Sequence, residues 1–268
     1  MSTYRKNGDQ ALAAPTSQDD RFGAILQELS RAGSVGVAEL ASRLDVSQAT
    51  VRRDLAELEQ SRLLTRTHGG AVRHSVTYEL SLRYKSMERN EEKLRIAAEA
   101  ARRVPDSGGA VGLTGGTTTT AVAHALIERA SLTIVTNALN IASELAIRQN
   151  IKLVVTGGVL RSQTYELVGP LAAASLGALN MDLVFVGVDG VSIGAGLTTI
   201  DEAEADTNRV MLKRAQRVIV VADHTKIGHV AFARICELSA IDELITDTAA
   251  DPQRLAELED AGLKVTRV

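Results

Sequence analysis

Apolar residues recur at helical spacing through the first part of the chain and in continuous runs through the rest. Between Arg21 and Leu58 they fall three or four apart, the period of one helix face. "RFGAILQELSRAG" groups Phe22, Ile25, Leu26 and Leu29, and Gly33 supplies a stop. "VAELASRL" makes a short second helix with Val37, Leu40, Ala41 and Leu44 inward. After the turn "DVS", Ser47 is a natural N-cap, because its hydroxyl accepts from the free amides of a first helical turn. The third helix, "QATVRRDLAELEQSR", buries Val51, Leu55 and Leu58. "LLTRTHGGAVR" then alternates about a Gly69-Gly70 turn, like a small β-hairpin.

From Ala110 onward the pattern changes. "AVGL", "LTIVT", "KLVVT", "LVFVGV", "RVIVVA", "ELIT" and "KVTRV" read as strands, with helices expected near 119–129, 140–148, 170–179, 202–215 and 252–262. Continuous apolar strands separated by helices mean an α/β fold with a mainly parallel sheet covered on both faces. The expected organisation is a disordered tail (1–20), a winged helix-turn-helix (21–75), a polar helical linker (76–104) and an α/β domain (105–268).

Composition narrows this picture. The chain has 268 residues, 45% of them apolar, enough for a sizeable core. It has no apolar run long enough to span a membrane, and none is expected. Its first twenty residues include Arg5, Lys6, Asp9, Asp19 and Asp20 and lack the apolar segment of a secretory signal. Cys236 is the only cysteine, so no intrachain disulfide forms, which fits the cytoplasm. No Cys/His cluster has zinc spacing, and neither metal nor cofactor is expected. The net charge of −3 argues against nucleic-acid binding over the whole surface. Residues 43–73 are different, with Arg43, Arg52, Arg53, Arg62, Arg66 and Arg73 against Asp45, Asp54, Glu57 and Glu59. Such a local basic face suits brief, salt-dependent contact with DNA.

Three short helices and a hairpin make a winged helix-turn-helix. With Val51, Leu55 and Leu58 inward, the third helix presents Gln48, Thr50, Arg52 and Arg53. Gln and Arg read base edges, whereas Ser47 and Thr50 suit phosphates. Arg66 and His68 on the hairpin would reach an adjacent groove or backbone. A helical bundle used for protein contact would show the same periodicity. "SQATVRRDLAELEQSRLLTRTHGGAV", however, resembles the signature of the DeoR family of bacterial transcriptional repressors. The Ser-x-x-Thr-Val-Arg-Arg-Asp-Leu core and the Thr-His-Gly-Gly-Ala wing are both intact. One departure is Arg62, where the family usually has Gly; in a left-handed conformation it costs about 1 kcal/mol.

In the C-terminal part, Gly115 and Gly116 would let backbone amides approach an anion. Thr117, Thr118 and Thr119 would add hydroxyls, and the following helix its positive end. No lysine follows, so this is not a nucleotide P-loop. Thr136 and Asn137, Gly157 and Gly158, Asp189, and Lys226 also follow strands, where open parallel sheets bind ligands. "EKLRIAAEAARRV", "GGTTT", "TNALNIASEL", "TGGVL", "VGP", "LVFVGVDGV" and "ADHTKIG" are similar, in order, to the DeoR effector domain. That resemblance implies a fold related to ribose-5-phosphate isomerase and CoA-transferases. It also implies a phosphorylated-sugar effector that alters binding to double-stranded operator DNA, and a homodimer or homotetramer. It does not imply an enzyme. The isomerase's second acid is replaced by Ser192, its lysine is absent from "SIGAG", and its glutamate base falls near Asn208, with Glu202 and Glu204 close by. An amide cannot remove a carbon-bound proton. The family usually has Asp at Thr114, so a carboxylate beside the phosphate is expected to be missing.

Overall fold

Each helix face predicted at the N-terminus closes on the same small core. The computed structural model describes residues 18–60, 64–72, 82 and 89–268, and the chain divides into two units, Met1–Glu88 and Arg89–Val268. The first unit contains α1 (Gln18–Ala32), β1 (Ser34–Gly36), α2 (Val37–Arg43), α3 (Gln48–Gln60), β2 (Thr65–Thr67) and β3 (Gly70–Val72). Phe22, Ile25, Leu26, Leu29, Leu40, Leu44, Val51, Leu55 and Leu58 are all buried in one cluster. The first helix starts at Gln18, inside the stretch expected to be a disordered tail. Residues 1–17 and Arg62 lie outside the described residues.

Strand β1 is an element the pattern did not predict, and it alters the wing. It pairs antiparallel with β3, which also pairs with β2, so the wing has three strands. The turn is His68-Gly69 rather than Gly69-Gly70, because Gly70 already lies in β3 opposite Gly36. A Cβ on Gly70 would stand 1.9 Å from the Val35 carbonyl oxygen, so that glycine permits the strand contact.

In the second unit, all seven expected strands form one parallel sheet. They are β4 (Gly109–Leu113), β5 (Leu132–Thr136), β6 (Ile151–Val155), β9 (Leu183–Val186), β12 (Val218–Val221), β14 (Glu243–Thr246) and β15 (Lys264–Arg267). The spatial order is β15-β14-β12-β9-β4-β5-β6. The helices are α4 (Asn90–Ala101), α5 (Thr117–Ala125), α6 (Leu139–Leu145), α7 (Pro170–Gly177), α8 (Glu202–Lys213) and α9 (Pro252–Asp260). Leu113, Ile134, Phe185, Ile219 and Ile245 point into one core with α4, α5 and α6; Val135, Val184, Val186, Val220 and Leu244 point into the other. The unexpected additions are a hairpin, β7 (Val159–Arg161) and β8 (Glu166–Val168), and an antiparallel sheet of β10 (Gly190–Ser192), β11 (Gly196–Thr199) and β13 (Ala233–Cys236).

Helix α4 falls within the segment expected to be a polar linker (76–104), yet it is part of the second unit's core. Ile96, Ala97, Ala100, Ala101 and Val104 make a continuous apolar stripe, buried with Val111, Leu113 and Val122. Residues 76–81 and 83–88 lie outside the described residues.

Candidate DNA interface and candidate effector site

The exposed side of α3 is held in place by bonds on its other side. Ser47 caps the helix, its Oγ accepting from the Thr50 amide at 3.1 Å. The two hydroxyls also lie 2.9 Å apart, so Ser47 and Thr50 are already engaged with one another. Asp54 is 1% exposed and accepts both Nε (2.8 Å) and Nη2 (3.1 Å) of Arg21, a two-point brace between α1 and α3. Arg43 pairs with Glu28 at 2.8 Å, tying α2 to α1.

Gln48, Arg52 and Arg53 are exposed, and among the described residues neither arginine forms an ion pair. The first turn of α3 carries no acid, so its positive end is not neutralised. Arg66 and His68 are exposed on the wing, where Arg66 is loosely held by Glu59, whose carboxylate accepts its amide at 2.9 Å. The arrangement is a rigid helix with cationic and amide side chains facing outward and a basic wing beside it.

In the second unit, the chain leaves β4 for β5 on one side, while β9 pairs on the other side of β4. The strand order therefore reverses between β4 and β9, and the crevice beyond their carboxyl ends is the favoured ligand position. Gly115 and Gly116 follow β4, and Asp189 follows β9. The two loops are in close contact. Thr114 Oγ1 accepts from the Gly187 amide at 3.0 Å and is fully buried, so it staples the loops and does not face a ligand.

The threonines divide. Thr117 is half-buried at the start of α5, whereas Thr118 and Thr119 are buried. Thr119 Oγ1 donates to the Gly116 carbonyl at 2.9 Å, so that hydroxyl is spent on the turn. Gly116 has φ +119, a backbone only glycine adopts readily. Asn137 is fully buried, and its Nδ2 donates to Glu166 Oε1 and the Leu167 carbonyl, each at 3.3 Å. Its Oδ1 has no partner among the described residues. Gly158 shapes the β7–β8 hairpin, because a Cβ there would lie 2.9 Å from the Val168 carbonyl oxygen. Lys226 and Asp189 face one another at 3.8 Å, and Thr199 donates to Asp189 Oδ2 at 3.2 Å.

Sequence reasoning missed the group at the centre of this rim. Glu166, on β8, is 1% exposed, and its Oε1 accepts from the Gly115 amide at 3.0 Å. A Cβ on Gly115 would come within 2.4 Å of the Glu166 side chain. The carboxylate expected to be missing with Thr114 is thus present from another strand. Burial pushes the Glu166 carboxyl above its usual range, and hydrogen bonds with Gly115, Glu204, Asn137 and Thr164 only partly offset that. Glu204 on α8 is also buried, accepts from Thr199 at 2.7 Å, and lies 3.5 Å from Arg161. Arg161 also reaches Asp201 at 3.1 Å. Glu202 is exposed, and Asn208 is buried with Oδ1 unpartnered among the described residues. Cys236, on β13 opposite Leu197, packs against the second core, and burial pushes its thiol up to about 11, away from the thiolate form.

No helix among the described residues is long and apolar enough to cross a membrane, and no metal-binding cluster occurs among them. The description of the DeoR C-terminal sensor domain matches residues 88–248, and that of the DeoR-like helix-turn-helix domain matches residues 21–77. The chain is 33% identical over 230 residues to the glycerol-3-phosphate regulon repressor of Escherichia coli (strain K12), covering 86% of this chain and 91% of that protein. It is 37% identical over 247 residues to the HTH-type transcriptional regulator GlpR of Haloferax volcanii, covering 92% and 96%. Among solved structures, ribose 5-phosphate isomerase from Plasmodium falciparum aligns with a TM-score of 0.36 and 12% identity, covering 50% of this chain and 51% of that one.

Proposed function

The chain belongs to the DeoR family of transcriptional regulators, and from that premise we propose that it represses a carbohydrate-metabolism operon and changes its DNA affinity when a phosphorylated sugar binds its C-terminal domain. The observation that carries the reading is the pairing, on one chain, of an outward basic recognition helix with a loop of free helix-start amides at the sheet's switch point.

Helix α3 enters the major groove. Gln48, Arg52 and Arg53 meet base edges and phosphates, Ser47 and Thr50 hold the helix start against the backbone, and Arg66 and His68 follow on the wing. A second copy in a homodimer or homotetramer supplies the other half-site. The effector's phosphate meets residues 115–119, and its hydroxyls meet Asn137, Asp189 or Lys226. The unpartnered Asn137 Oδ1 supports this assignment, because a sugar hydroxyl supplies the donor it lacks. The effector acts only through different affinities for the DNA-competent and DNA-incompetent arrangements.

The test is anisotropy titration of the full chain against DNA from upstream of its own operon, at several salt concentrations, with and without a panel of sugar phosphates. Saturable, salt-sensitive binding that one of them shifts supports the reading; absence of any saturable site refutes it. Turnover of any of those sugar phosphates would instead mark an enzyme.

A further inference from the structure

The anion loop after β4 already holds a carboxyl group. Glu166 Oε1 takes the Gly115 amide at 3.0 Å, the hydrogen bond an incoming phosphate would need. Glu166 forms no ion pair among the described residues, and its Oε1 also accepts from Asn137 Nδ2 at 3.3 Å.

Arg161 stands opposite Glu166 in the β7–β8 ladder, and its guanidinium reaches Asp201 at 3.1 Å and Glu204 of α8 at 3.5 Å. Asp189 lies beyond Thr199, which bridges it to Glu204. The start of α5 brings only threonines, the end of β5 brings Asn137, and α7 has no ionisable side chain. A second anion in the loop would therefore face a buried carboxylate at hydrogen-bond range, with low dielectric between them.

We infer that Glu166 is a built-in stand-in for the effector's anion: it closes the β4–α5 loop of the free sensor, and an anionic ligand enters only as the Glu166 carboxylate takes up a proton from solvent and releases the Gly115 amide. This rests on the reading of that loop as the effector's anion site. It makes effector affinity proton-linked, and it makes Glu166 a determinant of how strongly an anion must bind to be sensed. Burial of Glu166 favours its protonated form and so raises the pH at which that uptake occurs.

The probe is inorganic sulfate, a tetrahedral dianion whose own charge is constant near neutrality. Its binding to the full chain is followed by amide NMR, with the Gly115 resonance as the local reporter. The parent protein should bind sulfate more tightly as pH falls, by up to about tenfold per pH unit where Glu166 gains its proton. Glu166→Gln keeps the shape and an acceptor for Gly115 but removes the carboxylate. It should bind about tenfold tighter or better at about pH 8 and lose most of the pH dependence. Equal affinity and equal pH dependence in the two proteins, or weaker binding by the variant, overturns the inference and leaves the loop reading standing. A parent affinity flat in pH overturns it without any variant. No shift of Gly115 by sulfate in either protein, at any pH, overturns the loop reading together with the inference.

Discussion

Glu243→Gln tests how α4 is anchored. Glu243 opens β14 with its side chain fully buried at the end of the sheet opposite the candidate effector site. Arg103, just past α4, donates to it through Nε (3.1 Å) and Nη2 (2.7 Å), Thr266 Oγ1 donates at 2.8 Å, and Lys264 Nζ lies at 3.2 Å. Arg217 also donates to Oε2. Burial alone would raise the carboxyl, but the Arg103 bonds, then those of Thr266 and Lys264, outweigh it and hold it down at about 2. The folded value is below the unfolded one, so this stabilisation is fully present above about pH 4.5 and is lost as pH falls toward about 2. That interval corresponds to a ceiling of about 3 kcal/mol. Arg217 and Lys264 are themselves 38% and 59% exposed, so water screens their share, and about 2 kcal/mol is the expected loss. The chain has no tryptophan, so urea unfolding is followed by far-ultraviolet circular dichroism, for parent and variant, from neutral pH down to about 2. The stability gap should be about 2 kcal/mol at neutral pH and close as the parent's carboxyl protonates. A gap constant across pH would refute the electrostatic account and assign the effect to packing.

Arg52→Ala and Arg53→Ala should each weaken operator binding, by about 1 kcal/mol or more, and an arginine that contacts phosphate should also lower the salt slope by about one on removal; unchanged affinity in both would remove α3 from the interface. Gly70→Ala forces β3 away from the Val35 carbonyl and should cost the first unit about 1–3 kcal/mol, read as a lower midpoint in thermal unfolding; an unchanged midpoint would mean the wing is not held by β1. Asp54→Asn removes the carboxylate from the Arg21–Asp54 pair and should cost about 2 kcal/mol, read by urea unfolding, while a change under about 0.5 kcal/mol would show the brace to be idle.

The parts of this molecule that were legible share a physical cause. Each strand of the parallel sheet is buried on both faces, so "LVFV" or "VIVV" shows as a continuous apolar run. The helix faces show because Ile25, Leu29, Leu55 and Leu58 must meet on one side. Strands β1, β7, β8, β10 and β11 are three or four residues long, too short for any period, and are set by pairing with distant segments. In α4, charged residues between Ile96 and Val104 masked an apolar stripe, and the helix read as a linker. The recognition helix was legible because its function requires exposed arginines above a periodic core. The effector rim was legible only as strand ends. Thr119, Asn137 and Gly158 are engaged in holding the rim together, and nothing in their spacing tells that role from ligand contact.

Gly115 can be explained in two ways, and the difference is measurable. One account has the glycine admit a ligand's anion; the other has it admit Glu166. The Cβ of Gly115→Ala would fall within 2.4 Å of the Glu166 side chain, which is buried and bonded to Asn137 and so cannot swing away cheaply. Such overpacking costs about 1–3 kcal/mol. Glu166→Ala carries its own cost, since it leaves the Gly115 amide and Asn137 short of a partner. In the double variant the collision is gone, because the carboxylate atoms that the added methyl group would meet have been removed. The two losses should then be less than additive by an amount comparable to the strain, about 1–2 kcal/mol in a double-mutant cycle measured by urea unfolding without ligand. Strict additivity would mean the glycine is not there for Glu166, and the built-in anion would lose its structural basis. Less-than-additive losses would mean that the glycine, the feature that made the loop look like a phosphate cradle, is already required by the protein's own carboxylate before any ligand arrives.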